Sequence, residues 1–400
     1  MKAPLALLLL SIAFCASAQA RDCNQPAREP VMWVDLPGQA FQALPAADGC
    51  WIFASLPVGD GNADDSSAAA VSVFSRAEGR ISLVRTVPVG GNTTGMVLTH
   101  DSRLLVVADG RRVAFLDVAR ATSGDGNAVL GFWNDGTPDA GRIYVNVTAD
   151  DGYLFVSNEN ARTISVLDLA KLRASGFKSG EPIGRIPVGN GPVALTLSPD
   201  ERYLYSTMLN MPPEPDWPAE CSREYLREPA PPVPQGALFV IDVARAKTQP
   251  ESSVVARVPA GCTSVRVALS PKADVAYVSA RASNALLAFD TSKLVSDPGH
   301  ALLGRVPTGP NPIGIAVVDG GRRVVVTNSN RFGAAPTEAQ SLLVLDATKV
   351  SGGKSAVLGS IRAGALPREM SVTADGRTLL VVNTLSRKLQ VIDIARMPYR

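Results

Sequence analysis

Two charged residues and a phenol stand where the chain is otherwise built small. Aligned on the turns that follow them, short apolar runs bring Gly95, Tyr144, Ala194, Arg266, Gly314 and Glu369 to one equivalent position. Small side chains suit strands that crowd together, so Tyr144, Arg266 and Glu369 are exceptions, and Arg368 lies beside the last. Together they can line a channel that holds a small anionic or polar ligand. In a hydrolytic reading Glu369 activates water, while Arg266 or Arg368 steadies the negative charge that develops. The architectural reading of the same residues is an Arg266–Glu369 ion pair, because buried charges are usually paired.

A second set follows the next apolar run: Asp109, Asn158, Met208, Ala280, Asn328 and Asn383, with Glu159, Arg331 and Arg387 close by. Asn and Asp at a strand end commonly form turns through their own side chains. If they hold a ligand instead, their oxygens suit calcium or another hard divalent cation better than zinc. No other cofactor is called for.

The missing residues narrow the chemistry. The two histidines, His100 in a turn and His300 in a polar loop, are too few for a multi-histidine metal centre. No C-x-x-C-H for covalent haem, no G-x-S-x-G elbow and no phosphate-binding glycine loop is present. Carboxylate chemistry stays open through Glu369, Glu159 or Asp109.

These residues are positioned by a repeat. RIPVGNGPVALTLSPDERYLY, Arg185 to Tyr205, reads as strand, turn, strand, turn, strand, and LFVIDVA closes the unit with an Asp. The Asp recurs at Asp117, Asp168, Asp242, Asp290, Asp346 and Asp393, with Ser75 in a degenerate seventh copy. Successive spacings of 42, 51, 74, 48, 56 and 47 residues match a four-stranded propeller blade with insertions. The last copy lacks an outer strand, and VMWVDLPG, Val31 to Gly38, is an orphan that resembles one. The expectation is therefore an all-β fold, a seven-bladed β-propeller of four-stranded blades, its ring closed by the N-terminal strand completing the last blade.

The strands LFVSN at Leu154, AYVSA at Ala276, VVVTN at Val324 and LLVVN at Leu379 resemble the defining strand of the YVTN family of seven-bladed propellers. With the VG-x-x-P and SPDGR-like turns, the resemblance covers nearly all of the chain after residue 20. It implies the fold and an exported or surface protein. Propeller lactonases share the ring-shaped architecture, but no family catalytic set matches residue by residue.

Residues 1 to 20 read as a secretory signal peptide: one Lys, an apolar run from Leu5 to Phe14, then Ala18-Gln19-Ala20. Phe14 ahead of Cys15 is bulky where lipoprotein processing wants a small residue. The remaining 21–400 is expected to be a single propeller domain, periplasmic or secreted, without a transmembrane segment. Its near-neutral charge, without basic clusters, argues against nucleic acid. Cys23, Cys50, Cys221 and Cys262 are an even set, as disulfides would leave. The sequence does not fix their pairing; Cys23 with Cys50 and Cys221 with Cys262 is the economical choice, and free buried thiols are the alternative.

Three insertions, at 56–69, 208–236 and 330–340, fall between second and third strands and so on one face. Long loops on a rigid scaffold often carry binding, although they also tolerate drift. The 208–236 loop is rich in Pro and carries Trp217, which either caps the channel or packs the loop onto the propeller. The functional expectation is a binding or scaffold protein that recognises a cell-envelope protein, a peptide or a small polar ligand on that face without turnover. The alternative is a lactonase-like hydrolase acting through a channel carboxylate or bound divalent metal.

Overall fold

Strands such as Leu104–Ala108 and Thr378–Asn383 are buried at every position, and the reason is that each sheet has a neighbouring sheet on both sides. A continuous apolar run of this length satisfies both faces at once, where one solvated face would force alternation. The computed structural model describes residues 23–57, 69–178, 180–212, 217, 221, 234–333, 335 and 338–400. The signal segment expected at 1–20 and most of the 56–69 and 208–236 insertions lie outside the described residues.

The chain forms seven antiparallel four-stranded sheets, one of them carrying an extra short strand. Six are consecutive in sequence, beginning with Ala43–Pro45, Met96–Leu98, Arg142–Val147, Asn190–Pro192, Ser264–Leu269 and Pro312–Val318 as innermost strands of blades 1 to 6. Blade 7 runs from Pro367–Val372 through Thr378–Asn383 and Lys388–Asp393, and takes Val31–Asp35 as its outer strand. That strand pairs antiparallel with Lys388–Asp393, Val31 opposite Ile392 and Asp35 opposite Lys388, as the orphan strand implied.

Seven apolar clusters fill the seven junctions between blades. One joins Ile52, Ala54 and Phe74 of blade 1 to Leu380, Val382 and Val391 of blade 7, which closes the ring. Outer strands face solvent and change character accordingly; Arg80–Pro88 is mostly exposed.

The recurring Asp has an architectural role that spacing alone does not reveal. Asp117, Asp168 and Asp242 each accept a hydrogen bond from the backbone N–H three residues on, at 2.8–2.9 Å, and so cap the short helices Val118–Ser123, Leu169–Ala174 and Val243–Ala246. The connection to the outer strand is thus a helical turn in several blades of an otherwise β protein.

Both economical disulfides form, Cys23–Cys50 and Cys221–Cys262. The first ties the N-terminal segment to the turn before Trp51–Leu56. Arg76 strengthens the same closure, donating to Gln25 O and to Thr378 Oγ1, both at 3.0 Å. Replacing Cys23 and Cys50 together by Ser should lower the unfolding free energy by about 2–4 kcal/mol, read as a drop in the urea midpoint. An unchanged midpoint would mean that strand pairing and the arginine alone hold the ring shut.

Candidate functional site

Side chains reach the axis because the innermost strands bulge. Their pairing with the second strand slips between Arg142 and Tyr144, Ser264 and Arg266, Pro312 and Ile315, and Pro367 and Met370. A bulge leaves a residue out of the ladder and re-aims its side chain. At the corresponding position every blade contributes to one central cavity, from Phe41 and Thr94 through Ile143, Val193, Val265 and Ile313 to Arg368.

In blades 4, 5 and 6 the hydroxyl near the end of the second strand steadies the next blade's bulge. Thr207 Oγ1 donates to Val265 O at 2.9 Å, Ser279 Oγ to Ile313 O at 2.7 Å and Thr327 Oγ1 to Arg368 O at 3.3 Å. The Asn that ends the strand holds the loop arriving from the previous blade: Asn328 Oδ1 accepts from Gly309 N at 3.0 Å, and Asn383 Oδ1 from Gly364 N at 2.7 Å. The approach is close enough that a Cβ on Gly309 or Gly364 would sit 2.7 Å from Asn328 or 2.9 Å from Asn383.

Asp109, Asn158, Asn328 and Asn383 thus each bond atoms of nearby turns, loops or hairpins. Asp109 pairs with Arg112 at 2.9 Å, and Asn158 Nδ2 donates to Thr163 and Ser165, leaving its Oδ1 buried without a partner. Met208 and Ala280 offer no oxygen there. Among the described residues, no three His, Cys, Asp or Glu side chains converge on one point.

Below the cavity, Arg266 and Glu369 form the ion pair that the aligned positions allowed. Arg266 Nε donates to both carboxylate oxygens, at 3.0 and 3.1 Å, and its Nη2 also donates to Glu369 and to the Tyr144 hydroxyl. The guanidinium stacks on the Tyr144 ring at 4.4 Å. Burial opposes ionisation of Glu369, yet Arg266 beside it and Arg368 hold its carboxyl below the usual range. Burial drives the Tyr144 phenol well above its ordinary value. Neither Glu369 nor Tyr144 lines the cavity; Arg266 does.

The cavity, about 580 Å³, adds Glu159, Arg281, Arg331, Phe332 and Arg368. Arg368 lies over Phe41 at 4.0 Å, with its Nε 4.0 Å from Glu369 Oε1. Arg281 and Arg331 both lie over Phe332, at 4.9 and 5.5 Å, and no carboxylate pairs directly with either among the described residues. Burial, reinforced by Arg331, Arg368 and Arg266, pulls Arg281 down to about 10. Burial likewise brings Arg368 to about 10. Burial pushes the Glu159 carboxyl up, and the surrounding arginines offset this only in part. Pro57, Leu209 and Arg331, at the roots of the three insertions, all line this cavity, so the loop-rich face is the face on which it lies.

Trp217 sits elsewhere. It lines a separate cavity of about 330 Å³ with Gln235, Val258 and Leu287, and packs against Met208, Met211 and Phe239. Arg281, Phe41 and Phe332 were not singled out from sequence. Arg281 was accessible to the argument that picked Glu159, since each directly follows the last residue of a second strand.

Glu369→Gln should leave Arg266 buried without a countercharge and destabilise the protein by about 3–5 kcal/mol in thermal or urea unfolding. Converting Arg266 and Glu369 together to Met should recover most of that loss. A single variant as stable as the parent would remove the pair from the architecture.

No protein-family model matches the chain, and no curated protein matches it in sequence. Solved structures that superpose on it include a chain of hydrazine synthase from Kuenenia stuttgartiensis, with TM-score 0.64 and 16% identity over 90% of this chain and 97% of that one. A chain of a mitotic checkpoint complex gives TM-score 0.64 and 13% identity over 98% and 99%. At such identities the likeness is one of fold: a seven-bladed β-propeller, an architecture that often mediates binding.

Proposed function

We propose that this chain is an exported propeller that binds an anion in its central cavity and does not turn it over. The observation that carries the reading is the charge imbalance of that cavity. Arg281, Arg331 and Arg368 line it beside the Arg266–Glu369 pair, and among the described residues Glu159 is the one carboxylate lining it. Buried cations whose pKa is lowered, as at Arg281 and Arg368, are stabilised when an anion arrives, and guanidinium forks match carboxylate and phosphate oxygens. Two disulfides and the apolar leader at 1–20 support an oxidising compartment outside the cytoplasm. The resemblance to exported YVTN propellers supports the same placement. Among the described residues no helix is long and apolar enough to cross a membrane.

The hydrolase reading is weaker in its original form, because both Glu369 oxygens are engaged by Arg266. A carboxylate suited to taking a proton in this cavity is Glu159, which burial pushes up.

Titration calorimetry of the mature protein with sulfate and inorganic phosphate at low salt tests the proposal. Binding is expected, and Arg281→Ala or Arg331→Ala should each weaken it about tenfold, the worth of one charge-assisted hydrogen bond. Absence of heat with every anion rejects the reading. Sulfate stays ionised across the working range, so its affinity should rise as pH falls through the raised pKa of Glu159, whose protonation removes a negative charge from the cavity. Glu159→Gln should bind sulfate more tightly at neutral pH and flatten that profile; an unchanged profile would assign the pH dependence to another group.

A further inference from the structure

The cavity is not uniform around the axis. Among the described residues, the four arginines that line it come from blades 5 to 7: Arg266 and Arg281 from blade 5, Arg331 from blade 6 and Arg368 from blade 7. Blades 2 to 4 supply Ile143, Val193 and Leu209 with the polar Asn92 and Thr94, and Glu159 as their charged exception. The guanidinium donors are thus gathered on one side of the ring, while an aliphatic wall runs around it, Val265, Ile313 and Leu366 continuing it on the cationic side.

Phe332 adds an aromatic element on the cationic side. It is 66% exposed, the most exposed of the large hydrophobic residues described, yet its backbone is anchored by a hydrogen bond from its N–H to Asn311 Oδ1 at 3.2 Å. Both Arg281 and Arg331 lie within cation–π reach of its ring. A bare inorganic anion would use the arginines and leave the Phe332 ring and the aliphatic wall in water. The volume of about 580 Å³ falls among sites that enclose small organic molecules rather than single ions.

Building on the reading that this cavity binds anions, we infer that its ligand is an organic anion, a carboxylate or phosphate head on an apolar ring-sized body, the head held by Arg281, Arg331 and Arg368 and the body packed against Phe332 and the aliphatic wall. The head supplies the charge that the arginines lack. The ring supplies apolar surface, and its burial is the part of the affinity that an inorganic ion does not have.

Calorimetry with matched probes tests this on the mature full-length chain: inorganic phosphate against phenyl phosphate, and acetate against benzoate. The ring-bearing member of each pair should bind about tenfold more tightly, the scale of burying part of an aromatic ring. Phe332→Ala should reduce that preference, taken as the ratio within each pair, severalfold, and Phe332→Trp should keep it. Equal affinities within both pairs, or a ring preference untouched by Phe332→Ala, would overturn the inference while anion binding itself stood. Failure of all four probes to bind would overturn both. A ring preference in only the phosphate pair or only the carboxylate pair supports the inference and names the head group.

Discussion

The structure depends on one constraint: no blade can bury its own faces. Seven of the apolar clusters are each shared by two neighbouring blades, so the stability of any sheet depends on its junctions. A linear stack would leave two such faces in water, and the chain avoids this by using Val31–Asp35 as the outer strand of blade 7. The supports gather where that closure is made. The Cys23–Cys50 bond, the Arg76 contacts and a hydrogen bond from Asp393 N to Pro30 O at 3.0 Å all tie the N-terminal segment to blades 1 and 7.

Closure also creates the axis, and the axis permits contacts that a sheet or a linear stack does not. Arg266 of blade 5 reaches Glu369 of blade 7 and Tyr144 of blade 3, although none of these blades is adjacent to another. Small residues make room for this crossing. At Gly314 of blade 6 an added Cβ would press on the Arg368 carbonyl, and at Gly95 of blade 2 on the Ile143 carbonyl. The pair is nearly buried, so its net worth over an apolar replacement is small, but breaking it strands a charge. It is best understood as a device that fixes how three distant blades meet.

The sequence showed the blades because a strand buried on both faces must be apolar throughout, and turns between such strands need Asp, Gly and Pro. It showed Arg266 and Glu369 because polar residues among Gly95, Ala194 and Gly314 are conspicuous. It did not separate the two roles open to the Asn ring, since only coordinates reveal that Asn328 and Asn383 accept from glycine amides. Phe41 was hidden for a different reason. It precedes the short strand Ala43–Pro45 in a segment without the repeat's usual turn, and only the ring places it beneath Arg368 and 5.5 Å from Tyr144. Arg281 and Phe332 acquire meaning jointly, through a contact between two different blades.

The contrast between the two levels of the axis decides which residues are architectural. At the lower level, Arg266 and Glu369 satisfy each other, and nothing remains that calls for a ligand. At the upper level, Arg331 helps to depress Arg281, the two share an exposed aromatic ring, and among the described residues no carboxylate pairs directly with either. A fold that pairs Arg266 with Glu369 at the same cavity has the means to pair these as well. Local rules are broken where function requires it, and perturbed charges gathered in a cavity are a common form of that breach. The positive charge that no described carboxylate pairs directly lies beside the roots of three long insertions, at Pro57, Leu209 and Arg331.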